Sequence, residues 1–226
     1  DTPRFNYSFG ASCPSLLLEP SRTNLVGYSE YFGGGYWSKT SAIVTDNASV
    51  SPEGLQNASK LVESSDNNFH FILSSATIGS GAANFSFYAK AAERTSVSAF
   101  LSQGGNNGAN FDLSAETATA QGTGNTASIE SVGNGWYRCV VVNSGSNQIA
   151  SQVRIGIQNG ALGSYVGDGT SGVYIYGAQK EQASYPTSYI PNHSGGTITR
   201  AADVCGGAGD ASTFNDSEGV LYAEIA

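Results

Sequence analysis

Alternation of apolar and polar side chains is the dominant pattern along this chain. It is clearest over 84–90, where Phe85, Phe87 and Ala89 point one way and Ser86, Tyr88 and Lys90 the other. The same period of two recurs over 58–62, 69–73, 97–101, 126–132, 136–142, 152–158 and 173–179. Between these runs stand clusters that break extended backbone: Ser51-Pro52-Glu53-Gly54, Ile78-Gly79-Ser80-Gly81, 103–108, Gly122-Thr123-Gly124-Asn125, Gly133-Asn134-Gly135 and 143–147. Many short strands joined by glycine-rich turns predict an all-β, antiparallel β-sandwich.

The ends follow a different pattern. We expect an extended N-terminal flank over 1–24, one sandwich over 25–192, a Gly/Ala/Asp/Ser-rich linker over 193–217, and a resumed strand pattern over 218–226. A strand cannot stand alone, so that last segment either pairs back or opens a following domain. With a start at Asp1 that is neither methionine nor an apolar leader, the expectation is a piece of a longer protein.

Composition narrows the partners. The 226 residues include 29 Gly, 6 Pro and no Met, only 12% are charged, and the net charge is −8 with a pI near 4.6. Phosphate backbones and anionic membrane surfaces need Lys and Arg, so neither nucleic acid nor a membrane is expected as a partner. The longest apolar run is the short Cys139-Val140-Val141-Val142, far below the roughly 20 residues of a bilayer span. A weakly charged exterior suits a neutral partner such as a glycan or a protein surface.

Chemistry is sparse. Only His70 and His193 occur, in neither a His-x-x-x-His nor a Gly-x-Ser-x-Gly setting, and the acids stand singly, so no enzymatic activity is expected. Gly104-Gly105-Asn106-Asn107-Gly108 lacks the Lys-Ser/Thr ending of a phosphate loop and reads as a hairpin tip. The three cysteines, Cys13, Cys139 and Cys205, show no Cys-x-x-Cys spacing. Cys139 shares a strand face with Tyr137 and Val141 and is expected as a buried, inert thiol; Cys13 and Cys205 lie in the two flanks, where a disulfide is open but an odd count argues against it.

Aromatic rings are what a sugar binder needs, because a pyranose stacks its apolar face on a flat ring while amides bond its hydroxyls. The candidates are Tyr36 and Trp37 behind Gly33-Gly34-Gly35, with His70 from Phe69-His70-Phe71 and the amides of Gln103, Asn106 and Asn107. Each has a plainer reading beside it. Trp37 can cap the sandwich, Phe69 and Phe71 can be core, and the amides can be solvated turn residues.

Three motifs in order carry a resemblance: Leu16-Leu17-Leu18-Glu19-Pro20-Ser21-Arg22-Thr23-Asn24-Leu25; then Gly167-Asp168-Gly169-Thr170-Ser171-Gly172-Val173-Tyr174-Ile175-Tyr176-Gly177-Ala178-Gln179-Lys180-Glu181 with Thr187-Ser188-Tyr189-Ile190-Pro191; and Thr199-Arg200-Ala201-Ala202-Asp203. Together they resemble the jelly-roll module of bacteriophage tail and head fibre proteins, which is similar to carbohydrate-binding, galactose-binding-like sandwiches. The resemblance implies a noncatalytic virion appendage that attaches to a host-surface glycan or other receptor, contacts other virion proteins and assembles as a homo-oligomer, often a trimer. It leaves two alternatives, a carbohydrate-binding module of a bacterial polysaccharide-degrading enzyme and a structural spacer or capsid decoration without ligand. Relatives of this kind often hold a structural calcium between an early acid and an acid in the last strand. Here Gly177 stands near that last position and Glu30 only loosely matches the first, so no cofactor is expected, and Asp168 reads as an Asx-turn.

Overall fold

The computed structural model describes residues 5–6, 15–77, 81–101, 107–145, 152–160 and 163–204. Among them are eighteen strands and no helix: β1 (Phe5–Asn6), β2 (Ser15–Leu16), β3 (Arg22–Asn24), β4 (Ser38–Thr40), β5 (Ala42–Ser49), β6 (Ala58–Glu63), β7 (Asn67–Asn68), β8 (His70–Ser75), β9 (Ala83–Ala91), β10 (Ser96–Phe100), β11 (Gly108–Asp112), β12 (Thr117–Gln121), β13 (Asn125–Gly133), β14 (Trp136–Asn143), β15 (Gln152–Gln158), β16 (Tyr165–Val166), β17 (Gly172–Glu181) and β18 (Ile198–Arg200).

Two antiparallel six-stranded sheets make the sandwich. The first runs β12-β11-β10-β15-β8-β4 and the second β13-β14-β9-β17-β6-β5. Successive strands pass repeatedly from one sheet to the other, as β8 to β9 to β10 and β14 to β15 to β17, so each sheet interleaves strands distant in sequence. The core lies between them. Phe85, Phe87, Ala89, Cys139, Val141, Val173, Ile175 and Leu61 face inward from the second sheet and meet Val97, Ala99, Phe111, Val153, Ile155, Ile157 and Ile72 from the first. Phe87 and Phe111 touch edge to face across that interior, at 6.1 Å between ring centroids. All eight strands expected from the alternation are present, and Cys139 is buried and free, with burial pushing its thiol pKa up. Cys13 and Cys205, and the strand pattern over 218–226, lie outside the described residues.

The chain divides into two compact units, Thr23–Thr199 and a second built from Asp1–Arg22 with Arg200–Ala226. In the smaller unit β1 pairs antiparallel with β2, Glu19 and Asp203 exchange hydrogen bonds at 2.8 and 2.9 Å, and Arg200 pairs with Glu19 at 3.0 Å. In the larger unit the first and last residues meet, Thr23 Oγ1 lying 2.7 Å from Thr199 Oγ1.

One irregularity sets the surface of the second sheet. Where β17 pairs with β9 the register shifts between Tyr176 and Gln179, and Gly177 sits there at φ 62. The extra residue exchanges the faces beyond it: Tyr174 and Tyr176 face outward before it, and Gln179 and Glu181 face outward after it, while Ala178 and Lys180 face inward. A Cβ at Gly177 would also approach the Tyr88 ring to 3.0 Å.

Candidate functional site

The two sheets present very different outer faces. On the first sheet the inward positions alternate with outward ones, and antiparallel register places the outward residues in rows. One row reads Gly108, Phe100, Arg154, Leu73, Ser38; the next reads Asn110, Ser98, Gly156, Phe71, Thr40; a third reads Asp112, Ser96, Gln158. Although they face away from the core, Ser98, Phe100 and Gln158 are only 1%, 4% and 4% exposed, whereas Phe71 and Arg154 are partly buried.

Its centre is Arg154. The guanidinium carbon lies 4.0 Å from the Phe71 ring centroid and 5.0 Å from that of Phe100, stacking contacts that suit the flat, weakly hydrated guanidinium. The intervening row carries no side chain at Gly156, where a Cβ would come 2.7 Å from Ser98 Oγ. Gly108 is constrained too, since a Cβ there would lie 2.1 Å from the Ala99 carbonyl oxygen. Gln158 donates to Ser98 Oγ at 2.9 Å and fixes the floor.

Two polar atoms of this face are buried and unpartnered, Arg154 Nε and Asn110 Oδ1. Arg154 stands apart among the described arginines. Arg94 is paired with Glu63, Arg200 with Glu19, Arg138 donates to Thr187 O and Arg22 to Ser21 O, but Arg154 has no hydrogen bond or ion pair among the described residues. Burial lowers its pKa, yet an arginine stays cationic at neutral pH. Unsatisfied buried polar groups call for an explanation, and a ligand that supplies the missing partners is one.

The outer face of the second sheet carries more rings but keeps them to itself. Tyr88, Tyr176 and Tyr189 form a mutual cluster with centroids 5.7 to 6.1 Å apart, and Trp136 donates to Val50 O at 3.0 Å. Residues 187–192 lie over this face. Ile190 N donates to Gln179 Oε1 at 2.7 Å, Thr187 binds both carboxylate oxygens of Glu181, and the Tyr189 hydroxyl reaches Glu30 at 2.9 Å. Asn24, fully buried, donates to Ala178 O and Ile190 O and accepts from Val26 N and Lys180 N. Asn24 and 187–191 belong to the motifs that carry the family resemblance, so those residues close the scaffold.

Three of the residues expected as ligand contacts, Trp37, Tyr36 and His70, are engaged within the protein. Trp37 is 1% exposed, packs on Phe32 at 5.0 Å and donates to Tyr28 O, so it caps the core and offers no free ring face. Tyr36 is partly buried; its hydroxyl accepts from Gly27 N at 2.8 Å and donates to Ser75 O at 3.1 Å. His70 is 1% exposed, with Nδ1 at 2.6 Å from Ser41 O and Nε2 at 3.2 Å from Tyr165 O. Gln103 and Asn106 lie outside the described residues. The reading of Phe69 and Phe71 as core is corrected: His70 faces inward, while Phe71 faces outward and Phe69 is 42% exposed. Alternation separates the two sides of a strand without saying which is inside. Here a histidine with two carbonyl partners took the inside.

A third cluster joins the loop after β16 to β6. Glu63, fully buried, accepts two bonds from Arg94 at 2.5 and 2.9 Å, one from the Tyr165 hydroxyl at 2.6 Å and one from Asp168 N at 3.0 Å. Burial opposes ionisation of Glu63, but these donors outweigh it and hold its pKa below the ordinary value. Asp168 accepts from Ser171 and Thr170 in the Asx-turn expected of it, and those bonds depress its pKa. Every oxygen of Glu63 is committed within the protein. Among the described residues no group of three or more His, Cys, Asp and Glu side chains is placed to hold a metal ion.

No family model and no curated protein matches this chain. Among solved structures it is similar to a putative sugar binding protein from Bacteroides thetaiotaomicron VPI-5482, at 13% identity and a TM-score of 0.41 over 71% of this chain and 100% of that one. It is similar as well to the enzymatically active domain of tailspike protein 4 of bacteriophage CBA120, at 14% identity and a TM-score of 0.41 over 70% of this chain, which spans 21% of the tailspike chain.

Proposed function

We propose that this chain is a noncatalytic glycan-recognition module of a virion fibre or tail appendage, and that it holds its ligand on the outer face of the first sheet. The observation that carries the reading is Arg154, stacked between Phe71 and Phe100 with no hydrogen-bonding partner among the described residues. A saccharide supplies what such a face lacks: C–H surface for the accessible part of the Phe71 ring, and hydroxyls for Arg154 and Asn110. The virion setting follows from the sequence resemblance.

A glycan array probed with the chain and with Phe71→Ala tests this. Retention of a defined set of glycans, lost in Phe71→Ala while the variant melts normally, supports the reading; no retained glycan ends it. Recovery of the retained glycans intact separates binding from cleavage. A second reading, a spacer packed against sister chains, is favoured by exposed apolar residues at one edge, Ile43 on β5 and Val50 and Leu55 in the turn that follows. Sedimentation and the array together distinguish it, because a trimer that retains no glycan supports the spacer.

A further inference from the structure

The outer face of the first sheet carries a charge pattern that narrows the ligand beyond glycans in general. Its strands present one cation, Arg154, and one anion, Asp112, among their outward positions. The two do not neutralise each other. Asp112 lies two rows from Arg154, and its Oδ1 already accepts from Ser114 N, Ser114 Oγ and Ala115 N. The sequences bordering Arg154 and Phe100 add no acid either, since 101–111 and 144–153 contain no Asp or Glu. In a chain of net charge −8, the Arg154 guanidinium is thus left without a carboxylate among the described residues.

We infer that the glycan held by this face is acidic, and that its carboxylate, as on a uronic or nonulosonic acid residue, is received by Arg154. The inference rests on the proposed glycan-binding function. A guanidinium presents parallel N–H donors in a fork that matches a carboxylate, and a charge-assisted pair is shorter and about twice as strong as a neutral one. Phe71 and Phe100 hold the plane of the fork, so little side-chain freedom is lost on binding. Partial burial strengthens the pair and limits screening by salt. Asn110 Oδ1, an acceptor without a donor, suits a sugar hydroxyl beside the acidic group.

The test is an array carrying uronic and nonulosonic acid oligosaccharides beside their methyl esters, their sulfated analogues and neutral glycans. The chain is compared with Arg154→Gln, Arg154→Lys and, as a control on the opposite sheet, Lys60→Gln. The expected result is a preference of about tenfold or more for the free acid over its methyl ester, the size of one charge-assisted hydrogen bond. Within Arg154→Gln the acid and the ester are retained alike; Arg154→Lys keeps part of the preference, and Lys60→Gln keeps all of it. A thermal melt of each variant separates loss of binding from loss of fold. Equal retention of acid and ester by the parent chain overturns this inference while leaving glycan binding standing. A preference that survives in Arg154→Gln overturns the assignment to Arg154. A preference for sulfate over carboxylate replaces the acid class, and an array that retains nothing ends both the inference and the function on which it rests.

Discussion

The two outer faces of this sandwich invert the usual guide to a binding surface, which is to look for the most aromatic one. The second sheet has the richer face, with Tyr88, Tyr176, Tyr189 and Trp136, yet 187–192 lie over it and bond its Gln179 and Glu181. The first sheet has fewer rings but leaves an arginine and an amide oxygen unanswered. What separates the two faces better than ring count is how each treats its cation: Arg138 of the second donates to Thr187 O and Ser86 Oγ, whereas Arg154 of the first has no hydrogen-bond partner among the described residues. Rings that meet one another and the protein's own backbone are part of the fold's stability, whereas a stacked cation without an acid is poised for something else.

Substitution tests that contrast directly. The largest effect is expected from Tyr176→Ala, which removes a fully buried ring from the covered face; a loss of roughly 3–5 kcal/mol in urea unfolding is expected. If Phe71→Ala on the open face costs as much, the two faces do not differ as argued; about 1 kcal/mol or less is expected there, with the loss falling on glycan retention.

Between the faces lies Lys180, turned inward by the register shift in β17, with Nζ 2.6 Å from Ala76 O and its pKa lowered by burial to about 7. The sign follows from linkage. Between about pH 7 and the unfolded value near 10.5, the unfolded chain binds a proton that the folded one does not, so stability rises with pH. A gain on the order of 2 kcal/mol from pH 7 to 9, flattened in Lys180→Met, is expected from urea titrations at the two pH values. The smallest stability change is expected for Asn110→Ala. Its Oδ1 has no partner to lose, so its unfolding midpoint should hold within about 0.5 kcal/mol while glycan retention falls.

The sandwich was legible in the sequence because period-two alternation and glycine-rich turns are local signals. β9 and β14 alternate as written, and Gly133-Asn134-Gly135, all three at positive φ, turns β13 into β14. β5 was not foreseen: an edge strand has one neighbour, and its Ile43 and Thr45 face solvent, which blurs the apolar pattern. The candidate site was far less legible. Phe71 and Arg154 are 83 positions apart and meet only because β8 and β15 are neighbours, a fact of topology that no local window contains. The inversion at Phe69-His70-Phe71 and the bulge at Gly177 depend on which partners wait on each side. Trp37 stands out in the sequence as a flat ring for a sugar, and a flat apolar ring is equally what a core takes in.

Thr23 and Thr199 touching has a consequence of its own. A domain whose entry and exit coincide behaves as a cassette: it can be spliced into a longer chain, or lifted out of one, without requiring the flanking sequence to span its width. It also tolerates a new point of opening. Joining those two ends and cutting at the Gly133-Asn134-Gly135 hairpin would yield a permuted chain with the same rows of side chains on the same sheets, so the open face belongs to the arrangement of strands and not to the order in which they are read.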